Sequence, residues 1–116
     1  MDRHGFLRIA AVSPVVHVGD PAANADGVLA RLAEHPDADV VLFPELCLTG
    51  YTCEDLFRQE TLLRAAREQL LRVAQATAGR EQLVVVGLPL AVGNGLYNCA
   101  AAVADGHVLG LVPKQF

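Results

Sequence analysis

The sequence predicts an α/β fold in the order β-α-β-α-β-β-β with a mixed sheet, and three observations carry that expectation. Short apolar runs without polar alternation stand at residues 40–43 (VVLF) and 83–88 (LVVVGL), as expected of parallel strands covered on both sides. Two intervening segments repeat apolar residues at helical steps. After the third strand the period changes, and Gly93-Asn94-Gly95 and Asp105-Gly106 mark two successive hairpins.

Residues 6–12 (FLRIAAV) read as the first strand. Asp20-Pro21 then offers an N-cap followed by proline at the first helical position, where its missing N–H leaves nothing unsatisfied. Ala25, Val28, Leu29 and Leu32 form one apolar stripe along that helix, and His35-Pro36 closes it. The run 40–43 is the second strand and ends in Pro44-Glu45. In the second helix, Leu56, Leu63, Ala66, Leu70, Val73 and Thr77 repeat at steps of three, four and seven. Glu60 with Arg64 and Glu68 with Arg72 are expected as ion pairs on its outer face, and Gly79 as its left-handed stop. Residues 83–88 are the third strand, 96–104 the fourth and 107–112 the fifth.

This order has a geometric consequence. Right-handed helical crossovers make the first three strands parallel, and two hairpins reverse the chain twice, so the fifth strand again runs parallel to the third. The carboxyl ends of the second and fifth strands, with Glu45 and Lys114, therefore share one edge of the sheet, where open α/β sheets bind ligands.

Composition narrows the function classes. With 116 residues, 53% of them hydrophobic, the chain has material for one core, and no repeat or linker divides it. The formal charge of −4 and the scattered arginines provide no footprint for phosphate backbones, so nucleic acid is not an expected partner. Cys47, Cys53 and Cys99 have no C-x-x-C spacing and His4, His17, His35 and His107 are dispersed, so neither a disulfide scaffold nor a metal site is expected. Arg8 and Pro14 interrupt any signal-peptide pattern, and the longest uncharged stretch contains Gly87, Pro89, Gly93, Asn94, Gly95 and Asn98, which describe a turn between strands. A cytoplasmic protein with no membrane partner is expected.

Four residues stand out. Lys114 is the sole lysine beside eight arginines, and a compact ammonium suits a developing oxyanion better than a broad guanidinium. A solvated lysine at a strand end is the plain alternative. Glu45 lies among apolar neighbours, where a carboxylate needs a positive partner or a proton; alone, it would read as an exposed loop residue. Placed on one edge, each can neutralise the other, which favours a site. Gly50 is a candidate for a backbone conformation closed to other residues, and Tyr51 either lines a pocket or fills the core.

The segment Phe43-Pro44-Glu45-Leu46 with Gly50-Tyr51 resembles the glutamate motif of the nitrilase, or carbon-nitrogen hydrolase, superfamily, and Val112-Pro113-Lys114 resembles its lysine motif. The stretches from His4-Gly5-Phe6 to Gly19-Asp20-Pro21-Ala22-Ala23-Asn24 and Gly50-Tyr51-Thr52-Cys53-Glu54-Asp55-Leu56 are most similar to the glutaminase domain of glutamine-dependent NAD synthetases. The resemblance implies half of a nitrilase-like αββα sandwich, residues 1–116 being the amino-terminal part of one such domain that stops before its nucleophilic cysteine. It implies that Glu45 is the general base, that Lys114 stabilises the tetrahedral intermediate, and that Tyr51 sits near the glutamine pocket. The implied partners are glutamine or another small amide, the remaining chain, and further copies in a homo-oligomer. No cofactor is implied for the amidase chemistry, and ATP and magnesium belong to the synthetase domain, which would use the ammonia for NAD synthesis.

Other readings stay open at this level. Another amidase of the family, acting on a small linear amide, fits the same motifs. Cys47 in an extended segment would project to the side of Glu45 and could serve as the nucleophile itself. A non-catalytic subunit or nucleotide-binding module is weakly supported, because Ser13-Pro14-Val15-Val16 replaces a glycine-rich loop after the first strand. A serine hydrolase is weaker still, since Ser13, the sole serine, lies outside any G-x-S-x-G turn. Two helices can cover only one face of a sheet whose strands are apolar on both, so the isolated chain is expected to dimerise or aggregate.

Overall fold

The computed structural model describes residues 5–50 and 60–114. Its elements are β1 (Ile9–Ala11), α1 (Pro21–Glu34), β2 (Val40–Leu42), α2 (Glu60–Ala76), β3 (Leu83–Val92), β4 (Gly95–Ala104) and β5 (His107–Pro113). One five-stranded sheet runs β1-β2-β3-β4-β5, with β1, β2 and β3 parallel and β4 antiparallel to both β3 and β5. The order and directions are those expected from the sequence, and β5 runs parallel to β3.

Local chemistry sets the boundaries. Asp20 caps α1, its Oδ1 accepting from the Ala23 N–H at 3.1 Å, with Pro21 at the first helical position. Asp105 and Gly106 have φ of 47° and 81°, the doubly left-handed pair of a type I′ hairpin. Gly79 stops the chain after α2 at φ 76°, and its N–H donates to Asp105 Oδ1 at 3.0 Å.

Several extents differ from expectation for identifiable reasons. β1 spans three residues rather than 6–12, because its partner β2 is itself three residues long and leaves Phe6 and Leu7 nothing to pair with. β3 continues past residue 88 to Val92, because Leu90, Ala91 and Val92 pair with Tyr97, Leu96 and Gly95 of the hairpin. Pro89 is tolerated there because β3 has outrun β2, whose register ends at Leu42 opposite Val85. On α2 the core stripe takes Leu62, Ala66, Leu70, Val73 and Ala74, with Leu63 only half-buried. Glu60 and Arg64 pair at 3.6 Å, but Arg72 turns away from Glu68 and binds Asp26 on α1, joining the two helices. Leu56 lies outside the described residues.

Both helices cover the same face of the sheet. Ala25, Val28 and Leu32 of α1 and Ala66, Leu70 and Val73 of α2 pack with Val41, Val84, Val86, Leu88, Ala101 and Val103 in one core. A fully buried Val or Leu side chain contributes about 1.5–3 kcal/mol, so this layer holds the fold together. The alternate residues of the strands point the other way. Ile9, Leu42 and Val112 remain 61%, 38% and 66% exposed on that second face, which no described element covers.

Candidate active site

The bare face carries the chemistry. Lys114 follows β5 directly, and its N–H donates to the Asn98 carbonyl at 2.8 Å, extending the β4–β5 ladder by one residue. Asn98 and Lys114 thus stand opposite each other on adjacent strands. Ala100 pairs with Val112 two residues further along, so all four side chains belong to the same face.

Glu45 reaches them by a less obvious route. It leaves from β2, three strands from β5, and three interstrand spacings amount to about 14 Å. A shared edge alone would not bring acid and amine together. The chain crosses over β3 at Gly87: a Cβ there would stand 2.4 Å from the Leu46 nitrogen and 2.9 Å from the Pro44 carbonyl oxygen. With no side chain at residue 87, residues 44–46 lie flat across the strand and carry Glu45 toward β4 and β5.

The crossing is pinned from several sides. Phe43 N–H donates to the Val85 carbonyl at 2.9 Å and Leu48 N–H to the Gly87 carbonyl at 3.1 Å. Buried Asn24 of α1 donates to the Leu48 carbonyl at 2.9 Å and to the His17 carbonyl at 2.8 Å, and accepts from the His17 N–H at 2.6 Å. Gly19 N–H donates to the Thr49 carbonyl at 2.8 Å. Gly50 adopts φ 89°, as its sequence context suggested, and packs so closely on Val18 that a Cβ would lie 3.3 Å from Cγ2. Leu46 is held at φ 53°, a left-handed conformation that costs a residue with a side chain about 1–2 kcal/mol.

At the end of the crossing, Glu45 Oε1 accepts two donors: Lys114 Nζ at 2.8 Å and Asn98 Nδ2 at 2.6 Å. The two charged side chains are 33% and 49% exposed, and ion pairs with such access to water contribute only about 0–1 kcal/mol to folding. Stability therefore does not account for the arrangement. An open cavity of about 300 Å³ lies beside the pair, lined by Pro44, Glu45, Gly87, Asn98, Val112 and Lys114 among others. This is the lower end of the range that holds small ligands.

The structure brings together Glu45 and Lys114 and adds Asn98, which the sequence suggested only as a turn residue and which instead lies within β4. Tyr51 and Cys53 lie outside the described residues. Cys47 is a correction. Residues 45–49 form turns rather than an extended segment, so its side chain does not project beside Glu45. It is 1% exposed in the helix-side core, where Sγ accepts from the Gly87 N–H at 3.4 Å. Burial pushes the Cys47 thiol up to about 11, against the thiolate a nucleophile requires. Cys99 neighbours Asn98 on β4, so it faces the opposite side of the sheet, and burial raises its thiol too. Both cysteines are free thiols.

An acid paired to an amine at the carboxyl rim of an α/β sheet is equipment for moving a proton and opposing negative charge on a carbonyl oxygen. The chain belongs to the carbon-nitrogen hydrolase family, whose model matches residues 8–114, from just before β1 to the lysine itself. It is 42% identical over 116 residues to the glutamine-dependent NAD(+) synthetase of Mycobacterium tuberculosis H37Rv, covering 98% of this chain and 17% of that protein. A glutamine-dependent NAD(+) synthetase of Xylella fastidiosa Temecula1 is 41% identical over 106 residues, covering 89% of this chain and 19% of that one. Among solved structures, the glutamine-dependent NAD(+) synthetase from Cytophaga hutchinsonii superposes with a TM-score of 0.87 at 32% identity, over 95% of this chain and 19% of that chain. An amidase from Nesterenkonia sp. superposes with a TM-score of 0.72 at 27% identity, over 97% of this chain and 44% of that chain. The chain thus spans less than a fifth of the length of the synthetases named here.

Two outcomes test this geometry. Gly87→Ala is expected to lose about 1–3 kcal/mol of stability or more, read from the denaturant midpoint, because the clash is with backbone that no rotamer change can move; an unchanged midpoint would refute the close crossing. Cys47, with about one thiol in a thousand ionised at pH 8, is expected to escape iodoacetamide in the native protein and react only after unfolding, as mapped by peptide mass spectrometry. Prompt native labelling would show that the thiol is neither buried nor un-ionised.

Proposed function

We propose that this chain is the amino-terminal part of a glutaminase that releases ammonia for ATP-dependent NAD synthesis in the full-length protein. One observation carries the reading: Lys114 Nζ stands 2.8 Å from Glu45 Oε1, beside a cavity of small-ligand size, in a carbon-nitrogen hydrolase chain. The synthetase relatives support the choice of glutamine, because the Mycobacterium tuberculosis protein matches this chain almost end to end at 42% identity.

In this reading a cysteine thiol gives its proton to Glu45 as the thiolate attacks the side-chain carbonyl of glutamine. The carbonyl oxygen becomes negative, and the Lys114 ammonium opposes that charge. The carbon–nitrogen bond breaks as the proton passes from Glu45 to the leaving nitrogen, and ammonia departs. Water, deprotonated by Glu45, then hydrolyses the thioester to glutamate and restores the thiol. Cys47 and Cys99 both face the helix-side core, so the nucleophile comes from outside the described residues. ATP and magnesium would serve the synthesis step and take no part in the amide chemistry. The free thiols suit a reducing compartment, and we assign the protein to the cytoplasm.

The bare sheet face bears on assembly. Ile9, Leu42 and Val112 expose apolar surface on the face that bears the site, and further chain or a second copy would cover it, completing the αββα sandwich. The purified 116-residue chain is accordingly expected to self-associate and to release no ammonia from glutamine.

An amidase acting on a small linear amide is the second reading, favoured by the superposition on the Nesterenkonia enzyme. Ammonia release by the full-length protein separates the two: glutamine is the expected substrate, and turnover of short aliphatic amides with none of glutamine would shift the assignment. Lys114→Ala is expected to lower glutamine turnover at least about a hundredfold to a thousandfold. Near-normal hydrolysis by that variant would remove Lys114 from the mechanism.

A further inference from the structure

Asn98 touches both members of the charged pair. Its Nδ2 donates to Glu45 Oε1 at 2.6 Å, the same oxygen that takes Lys114 Nζ at 2.8 Å. Its backbone carbonyl accepts the Lys114 N–H at 2.8 Å. One uncharged residue therefore holds the acid by its side chain and the amine by its main chain.

We propose that Asn98 is a positioning residue that anchors the Glu45 carboxyl group in both of its protonation states. The inference rests on the amide-hydrolysis reading above. In that reaction Glu45 begins as an anion and then carries a proton, and its attraction to Lys114 belongs to the first state alone. Once the proton arrives, Lys114 has a new negative charge to oppose on the substrate. The ion-pair attraction thus weakens at the moment the carboxyl group must aim its proton at the leaving nitrogen. An amide N–H donates to the carbonyl oxygen of a carboxylic acid as well as to a carboxylate, so the Asn98 bond survives the change.

The residue type follows from the same logic. A lysine or arginine at 98 would compete with Lys114 for the carboxylate, and an aspartate would share its proton. Asparagine donates without titrating. Lys114 and Cys99 are the other titratable groups lining the cavity among the described residues, and Cys99 faces the opposite side of the sheet. A purely structural role explains less, because the Asn98 backbone bond to Lys114 is available to any residue and the strand ladder does not need its side chain.

The test uses Asn98→Ala and Asn98→Asp in the full-length protein, with kcat and KM for glutamine measured against pH and a crystal structure of the alanine variant. Asn98→Ala is expected to lower kcat by about tenfold to hundredfold, the scale of a misplacement of about 1 Å, with little change in KM. The acid limb of its rate profile is expected at higher pH, because the carboxylate has lost a donor that favoured its charged form. Asn98→Asp is expected to move that limb further. In the alanine variant's crystal structure the Glu45 carboxylate should be displaced from Lys114 or take more than one orientation. An unshifted acid limb with a wild-type rate, or a Glu45 carboxylate left in place, would overturn the proposal. If the unaltered protein hydrolyses no amide, the functional reading fails, and the crystal structure still decides the positioning role by the same criterion.

Discussion

A missing side chain allows the acid to meet the amine. Glu45 and Lys114 belong to strands separated by three interstrand spacings, and the polypeptide spans that interval by lying across β3 where Gly87 presents no Cβ. The rest of the site follows from this contact. The hydrogen bonds of Leu48 and Cys47 to Gly87, the clamp from Asn24, the left-handed Leu46 and the close packing of Gly50 on Val18 all fix the same seven-residue turn from 44 to 50. The chain accepts local strain at Leu46 to aim a carboxylate whose ion pair does little for stability.

The two faces of the sheet divide the work. The helix-side face is dry and closely packed, and it supplies the rigidity. It also holds Cys47 protonated, since a thiol sealed among Val and Leu side chains resists ionisation, and burial shifts the Cys99 thiol in the same direction. The opposite face is apolar, uncovered by any described element, and bears Glu45, Asn98 and Lys114 at its rim. A pairing made on the rim of a rigid layer is held to a fixed distance without being buried. This leaves the amine accessible to a substrate carbonyl.

Much of this was legible in the chain. Unalternating apolar runs, an Asp-Pro helix start and two glycine-bearing turns led to the correct strand order and directions, and the direction rules placed Glu45 and Lys114 on a common rim. What escaped was the crossing. Gly87 read as part of a buried strand and as one of several turn residues, although glycine inside such a run signals close approach of another backbone. Asn98 was misread as a turn residue because a lone asparagine in a strand has no periodic signature and acquires meaning only from its cross-strand partner. The alternative that set Cys47 in an extended segment failed for a related reason: a segment that folds over a neighbouring strand must turn, so Cys47 points inward. Strand lengths were misjudged where pairing partners, rather than intrinsic propensity, decide them: β1 is cut short by β2 and β3 is prolonged by β4.

If Glu45 and Lys114 operate as one unit, their removal should not compound. The most direct measurement is a double-mutant cycle on amide hydrolysis by the full-length protein, comparing Glu45→Gln, Lys114→Ala and the two combined. The combined variant is expected to be about as slow as the slower single variant, because either change leaves the other residue without its task. Losses that simply multiply would show two independent residues, and the geometry at the rim would then have no bearing on the chemistry.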